Sequence, residues 1–497
     1  MDKESSSYKS TVKSTAIFGG AQGIQMLVTI LRAKAIAIIL GSHGMGVNAI
    51  FQSTIAIISS LSSFGIFQSA VRDISQEHET GDSSKLSRIT LIFYRMVLAA
   101  GLLGLLICLC FSTLLSKWAF QNYDYTWHFA FLSVGVLFSA LANGKTVFLQ
   151  GTRNLISLAK ASVLAALIGL SLAIPFFYYF GIFGIVLSIN ISSLLLYLTQ
   201  LYFTRKIKLE KVNNLSLVQT INESKPIVKL GSILMLGMVV LTGFTYLTNV
   251  FIGRFGKIED VGLFQGVSSI TSQSIAIVIA VLASDFFPRL AAVFQDKQKV
   301  KLMVNQQAEL VSIIITPITV ILIVFAPLII KVLLSSEFLV VVPMLRLISL
   351  SLLFRGVWLI MSYVILAKGD KKAYLIFDSL IGNGLLFLLN ILAYSFWGLL
   401  GLGISYLAGS VSVSVILFFI VKIKYDFNFN SEFLKVYGLL ILLALCSYSA
   451  ACFLSGWAQY ILSGIIVIVS LGYSMYVLNK RIGIFNKILQ VVKGKKQ

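Results

Sequence analysis

The chain has 497 residues, of which 58% are hydrophobic and only 12% charged, and its formal net charge is +21. A soluble domain carries about 25% charged residues, so this composition excludes a water-soluble globular protein and points into lipid. The positive charge would suit a nucleic acid. Its distribution assigns it to membrane topology instead, with no nucleic-acid partner.

Residues 1–14 are polar, and residues 15–40 form a long apolar span rather than a cleaved signal peptide. A helix needs about 20 apolar residues to cross the hydrocarbon core. Fourteen such runs follow in order, at roughly 15–40, 47–70, 89–115, 127–149, 158–180, 182–203, 227–252, 261–287, 308–334, 340–366, 374–396, 398–421, 433–454 and 460–478. Barrel strands would be half as long and alternate in polarity, so the predicted class is an all-α polytopic membrane protein with 14 transmembrane helices. The cysteines Cys108, Cys110, Cys446 and Cys452 sit in apolar runs and form no ligand spacing with the three histidines. They read as membrane-packed thiols, with no metal site and no cofactor implied.

With the N-terminus inside, thirty of the forty Lys and Arg fall in cytoplasmic segments, four in outer loops (Lys117, Arg254, Lys257, Lys331) and six within spans. That loop-by-loop alternation supports both the span count and a cytoplasmic placement of both termini. It also makes an inner surface suited to anionic lipid headgroups. The longest interior connection, 204–226, is polar and basic and divides the chain near its middle. The last residues, 481–497, place Ile482, Phe485, Ile488, Leu489 and Val492 on one helical face among lysines, the pattern of an interfacial helix or a basic tail.

The chain repeats itself. LGSHGMGVNAIFQS, residues 40–53, returns as GRFGKIEDVGLFQG, residues 253–266. FLQGTRN, with Gly151 and Arg153, matches ILAKGDKK, with Gly369 and Lys371. FGIFGIVLS, with Gly181, Gly184 and Ser188, matches WGLLGLGIS, with Gly398, Gly401 and Ser405. The offsets are 212–213, 218 and 217. Six spans separate the copies, so both enter the membrane in the same sense, as a parallel pseudo-twofold repeat. The predicted organisation is an N-terminal lobe over 1–203, the basic linker 204–226, a C-terminal lobe over 227–424, and two added helices with a basic tail over 425–497. A binding site is expected near mid-membrane between the lobes, with access alternated by their rocking.

Charge inside a membrane is costly and usually faces a wet cavity; the bland alternative is snorkelling to the interface. The candidates for cavity cations are Arg32 and Lys34 in span one, Arg95 in span three, Lys145 in span four, and Arg346 and Arg355 in span ten. Arg355 lies deepest. Lys34 points about 200° away from Arg32, so the two cannot face one groove. Lys145 is placed equally well to snorkel or to pair. Arg95 shares a face with Arg88, seven residues earlier. Asp285 and Asp378 either answer these cations or couple transport to an ion. Gln25, Asn48, Gln52, Asn249, Gln265 and Gln273 add polarity to spans one, two, seven and eight, as cavity lining or as interhelical hydrogen bonds. A cationic cavity suits an anionic cargo, because arginine grips phosphate through two parallel hydrogen bonds. Pro175, Pro317 and Pro327 interrupt spans five and nine and allow kinks.

The first hairpin, together with VGLFQGVSSITSQSIAIVIAVLASDFFPRLA and SYVILAKGDKKAYLIFDSL, resembles the multidrug/oligosaccharidyl-lipid/polysaccharide exporter superfamily, and within it the Wzx-type flippases of O-antigen and enterobacterial common antigen. The resemblance covers nearly the whole chain and is strongest over 225–425. It implies movement of an undecaprenyl-pyrophosphate-linked oligosaccharide from the inner to the outer leaflet of the bacterial cytoplasmic membrane. It also implies alternating access driven by H+ or Na+, contact with membrane lipids, and polymerase or chain-length partners. Arg32, Lys34 and Arg355 are the candidates for the pyrophosphate, chosen by depth. Two other readings stand beside this one. A drug or small-molecule exporter of the same superfamily would show deep acids. A membrane polymerase or ligase would show a large outer loop with catalytic groups, and the longest outer loop here is about 116–126.

Overall fold

The computed structural model describes residues 2–482 apart from 206, 208, 211–214, 283–285 and 455. Every regular element among the described residues is helical. In chain order these are α1 (Asp2–Ile39), α2 (Gly41–Ser62), α3 (Ile66–Thr80), α4 (Ser83–Cys110), α5 (Ser112–Phe120), α6 (Thr126–Gly151), α7 (Leu155–Thr204), α8 (Leu217–Phe255) and α9 (Ile258–Val281). There follow α10 (Phe287–Ala292), α11 (Lys297–Val324), α12 (Ala326–Leu333), a 3-10 turn over Ser336–Val341, α13 (Val342–Ala367) and α14 (Lys371–Ala373). A π-helical stretch over Tyr374–Gly382 then leads into α15 (Asn383–Tyr425), α16 (Ser431–Phe453) and α17 (Gly456–Ile482).

Among the described residues eleven helical stretches are long and apolar enough to cross a membrane, so the chain is a multi-pass membrane protein. Two of the eleven, Leu155–Thr204 and Tyr374–Tyr425, are double length, and each serves two predicted spans. Both break at a glycine: Gly181 has φ 53° and ψ −127°, and Gly398 has φ 55° and ψ −137°. Those angles are open to glycine alone, which is why the chain reverses there. Three residues on, a Cβ at Gly184 would lie 2.1 Å from the Phe176 carbonyl oxygen, and one at Gly401 would lie 1.9 Å from that of Ala393. The two turns are one structure made twice, 217 residues apart.

The second predicted run, 47–70, stops early. α2 ends at Ser62 because Phe64 and Gly65 are both left-handed, and α3 leaves in a new direction. The ninth run divides into α11 and α12 beside Pro327, whose ring cannot continue the helix. Residues 483–497, the predicted interfacial tail, lie outside the described residues.

The chain divides into two compact units, residues 1–265 with 333–335, and residues 266–332 with 336–497. In the first, Ile66, Ile74, Phe93, Val97, Phe148 and Ile227 form a buried core joining α3, α4, α6 and α8. The two copies of the echoed hairpin meet there at van der Waals limits. A Cβ on Gly46 would lie 2.0 Å from the Ile258 carbonyl oxygen, and one on Gly262 would lie 1.8 Å from that of Ser42. In the second unit, α16 and α17 pack on α11 through Ile313, Leu440 and Val477, and through Val320, Ala450 and Ile466.

Candidate functional site

Arg32 is carried by α1, whose long unbroken apolar run holds the guanidinium against the second half of α7. Its Nη2 donates to Ser188 Oγ at 2.8 Å and its Nη1 to Ser192 Oγ at 3.3 Å. Ser188 and Ser192 are four residues apart and so share one face of α7. Ser188 gives its own hydrogen to the Ile185 carbonyl, leaving its lone pairs to the arginine. Ser188 follows Gly181 by seven residues, about two turns, so the glycine hinge sets where this acceptor stands. Both partners are neutral, and no described carboxylate pairs with Arg32. A charge in that position is solvated by hydroxyl dipoles but not neutralised, and it can still attract an anion. Lys34, on another face of α1, is half-buried and likewise pairs with no described carboxylate.

The cations of α4 and α6 are engaged differently. Arg95 donates through Nη1 to the Leu215 carbonyl at 2.9 Å and to Thr220 Oγ1 at 2.6 Å. Lys145 stands over the Tyr94 ring, 3.6 Å from its centroid, a cation–π contact. In the second unit, Arg346 and Arg355 are nine residues apart and point in opposite directions around α13. Arg346 reaches the Ile323 carbonyl on α11 at 3.3 Å and Cys452 Sγ on α16 at 3.9 Å. Arg355 is half-buried on the other side, close enough to Tyr406 of α15 to act on its hydroxyl.

Asp378 lies in the π-helical stretch. Its Oδ1 accepts from Trp358 Nε1 at 2.7 Å and from Ser362 Oγ. Both donors are neutral. π-bulges cost helical regularity and concentrate at functional positions. Asp285 lies outside the described residues. Among the polar candidates, Asn249 is buried and donates to Ser53 Oγ at 3.4 Å, joining α8 to α2. The Asn48 side-chain oxygen on α2 is buried without a partner. Gln25, Gln265 and Gln273 are half-buried, and Gln52 is exposed.

One cluster escapes a search for charges inside spans, because it sits at helix starts. His43 lies 2.9 Å through Nδ1 from Glu259 Oε1 and 3.2 Å through Nε2 from the Tyr125 hydroxyl. It ties α2, the approach to α6 and the start of α9 at one point. Burial acts to raise the Glu259 carboxyl, but its own backbone N–H and the His43 ring together hold it below its ordinary value. Burial, then Asp124 and Glu259, push the Tyr125 hydroxyl up. The signal was present in the sequence as His43 inside the first hairpin and Glu259 inside its echo.

The fold is shared with known transporters. The chain is similar to the lipid II flippase MurJ in an inward closed conformation, with a TM-score of 0.70 and 15% identity over 94% of this chain and 99% of that one. It is similar to an inward-facing multidrug resistance transporter of the MATE family and MOP superfamily, with a TM-score of 0.66 and 16% identity over 81% and 94%. It is also similar to a MOP superfamily transporter from Pyrococcus furiosus, described as having a binding pocket of reversed polarity that suggests a different function, with a TM-score of 0.58 and 15% identity over 84% and 95%. These likenesses establish the fold as that of the MOP superfamily. No curated protein matches the chain in sequence. Residues 35–343, more than half of the chain, match the family described as polysaccharide biosynthesis protein, and the chain belongs to that family.

Proposed function

We propose that the protein is a flippase that carries an undecaprenyl-pyrophosphate-linked oligosaccharide from the inner to the outer leaflet of the bacterial cytoplasmic membrane by alternating access. The observation that supports this most is Arg32, a membrane arginine whose described partners are the hydroxyls of Ser188 and Ser192. An exporter of organic cations needs the opposite polarity, an acid where this chain has a base. The Pyrococcus furiosus relative, with its pocket of reversed polarity, is an example of the same fold put to another use. Arg32 and Arg355 are assigned to the pyrophosphate, and Lys34 to acidic groups of the cargo. Asp378, an acid in the π-helical stretch bonded to Trp358 and Ser362, is assigned to ion coupling. Both termini are assigned to the cytoplasm on the loop charges.

Reconstitution tests this reading. Liposomes carrying the protein and a lipid-linked oligosaccharide in one leaflet are expected to expose the sugar to an outside glycosidase or lectin, faster with an imposed proton or sodium gradient. No protein-dependent exposure under any gradient would overturn the proposal. Transport of an organic cation in the same vesicles, without sugar exposure, would favour the drug-exporter reading.

A further inference from the structure

We propose a second lipid site: a cavity between α4 and the start of α8 that holds an anionic glycerophospholipid by its phosphate. The cavity measures about 340 Å³ and opens between the end of α2, the middle of α4 and the first turns of α8. Its polar end is Arg95 with Thr220, and its apolar wall is Met96, Leu103, Leu217 and Ile221.

Arg88 and Arg95 are seven residues apart, hence on one face of α4, and both turn toward α8. Arg88 is neutralised there, since its Nε and Nη2 grip the two oxygens of Glu223 at 2.9 and 2.5 Å. Arg95 is not. Its Nη1 holds a carbonyl and a hydroxyl, and Nε and Nη2 are not used by either bond. No described carboxylate pairs with it. A half-buried guanidinium without a counter-charge, at the end of an apolar groove, is matched by a phosphate that brings its own alkyl chain.

The surroundings fit headgroup level. Leu217, Val218 and Ile221 are 74%, 68% and 62% exposed on the first turns of α8, with the exposed Lys225 and Lys229 following. Apolar side chains beside lysines are the signature of a helix turn lying in the interface. The groove between α16 and α17 shows the contrast. It is lined by Leu442, Leu445, Leu462, Ile465 and Val469 and holds no charged residue, so it has no means of choosing a headgroup. The α4–α8 cavity has Arg95 for that.

The test is native mass spectrometry of the full-length protein in detergent, with thermal-shift measurements. The additions are phosphatidylglycerol, phosphatidylethanolamine, undecaprenyl phosphate and inorganic phosphate. The expected result is one tightly held phosphatidylglycerol that the zwitterionic lipid and free phosphate do not replace. Arg95→Gln should weaken it by about tenfold or more, because a half-buried charged partner is removed. Arg95→Lys should weaken it less. Leu103→Trp, which fills the groove and leaves the charge, should also lose the lipid. Equal retention by the wild type, Arg95→Gln and Leu103→Trp would overturn the site. Binding of inorganic phosphate or undecaprenyl phosphate, with phosphatidylglycerol failing to bind, would overturn the assigned occupant. Flipping activity is not needed for the readout, so failure here is separable from failure of the transport reading.

Discussion

The Gly181 turn and the Gly398 turn share a backbone but not a chemistry. Both glycines sit near φ 54°, and both are followed at three residues by a glycine pressed on a carbonyl. Both are followed at seven residues by a buried serine, Ser188 or Ser405. There the likeness stops. Ser188 accepts from Arg32, whereas Ser405 lies 2.5 Å from Asn390 Oδ1. The residue 217 before Asn390 is Ala173, and the residues 212–213 after Arg32 are Phe244 and Thr245. Each half solves the same packing problem, but the serine of the first turn meets an arginine and that of the second an asparagine. The repeat therefore carries the architecture, and the substitutions within it make the two turns chemically different.

The turns themselves should show the largest effects. Gly184→Ala and Gly401→Ala put a methyl 2.1 and 1.9 Å from a carbonyl oxygen, far inside van der Waals contact, so both are expected to abolish accumulation of folded protein. Gly181→Ala and Gly398→Ala impose a forbidden backbone region at about 1–3 kcal/mol each, and should lower the melting temperature in detergent without abolishing folding. Fluorescence-detected size exclusion and melting curves on all four variants are the check. If one hinge tolerates alanine and its partner does not, the two turns are not equivalent.

The spans are legible from sequence because lipid admits few alternatives to an apolar helix. The register of the repeat is less so. Matching Gly151 to Gly369 by residue type gives an offset of 218, but the structure pairs Gly369, at φ 77°, with Arg153, at φ 54°. The offset there is 216, and the next residues agree: Asn154 accepts from Ser157 N, and Asp370 accepts from Ala373 N. Conformation, not the glycine, is what the two turns hold in common. Between this turn and the glycine hinge the offset grows from 216 to 217, and in that interval the second half alone has the π-helical stretch Tyr374–Gly382. A π-bulge accommodates one extra residue in a helix, which accounts for the change. Partners of side chains were less legible still. That Arg32 would find Ser188, 156 residues away, depends on a hinge whose angles no spacing rule supplies.

The charge asymmetry supplies the next effects. Arg32→Ala is expected to cut oligosaccharide flipping by about tenfold or more, ~1.4 kcal/mol, with protein level unchanged. Arg32→Lys should recover only part of it, because the fork is lost. Asn390→Ala should do the reverse, costing about 1 kcal/mol of stability and leaving transport intact. Measuring both quantities in both variants sharpens the contrast, and loss of transport in Asn390→Ala would remove it. Asp378→Asn keeps the size of the side chain and removes its acid. Flipping should then proceed at a reduced rate that no longer responds to an imposed proton gradient, and a retained response would take coupling away from this residue.

The smallest effect tests the symmetry again, at the helix starts. Asp82 caps α4 by accepting from Lys85 N, and Asp296 caps α11 by accepting from Gln298 N and Lys299 N, 214 residues later. Each also meets a lysine three residues on, Asp82 with Lys85 at 3.3 Å and Asp296 with Lys299 at 3.2 Å. In both, the backbone N–H of that lysine comes first in holding the carboxyl below its ordinary value. A carboxyl depressed in the folded state binds its proton less readily than in the unfolded chain, so its contribution is present above the unfolded value, about 3.9. It is lost as pH falls through the folded value. Melting temperatures taken downward from pH 6 should therefore decline below about pH 4, and Asp82→Asn and Asp296→Asn should each flatten that decline by the same small amount. Asparagine keeps the cap and removes the titration. Unequal flattening would mean that the two caps, alike in geometry, are not alike in what they hold in place.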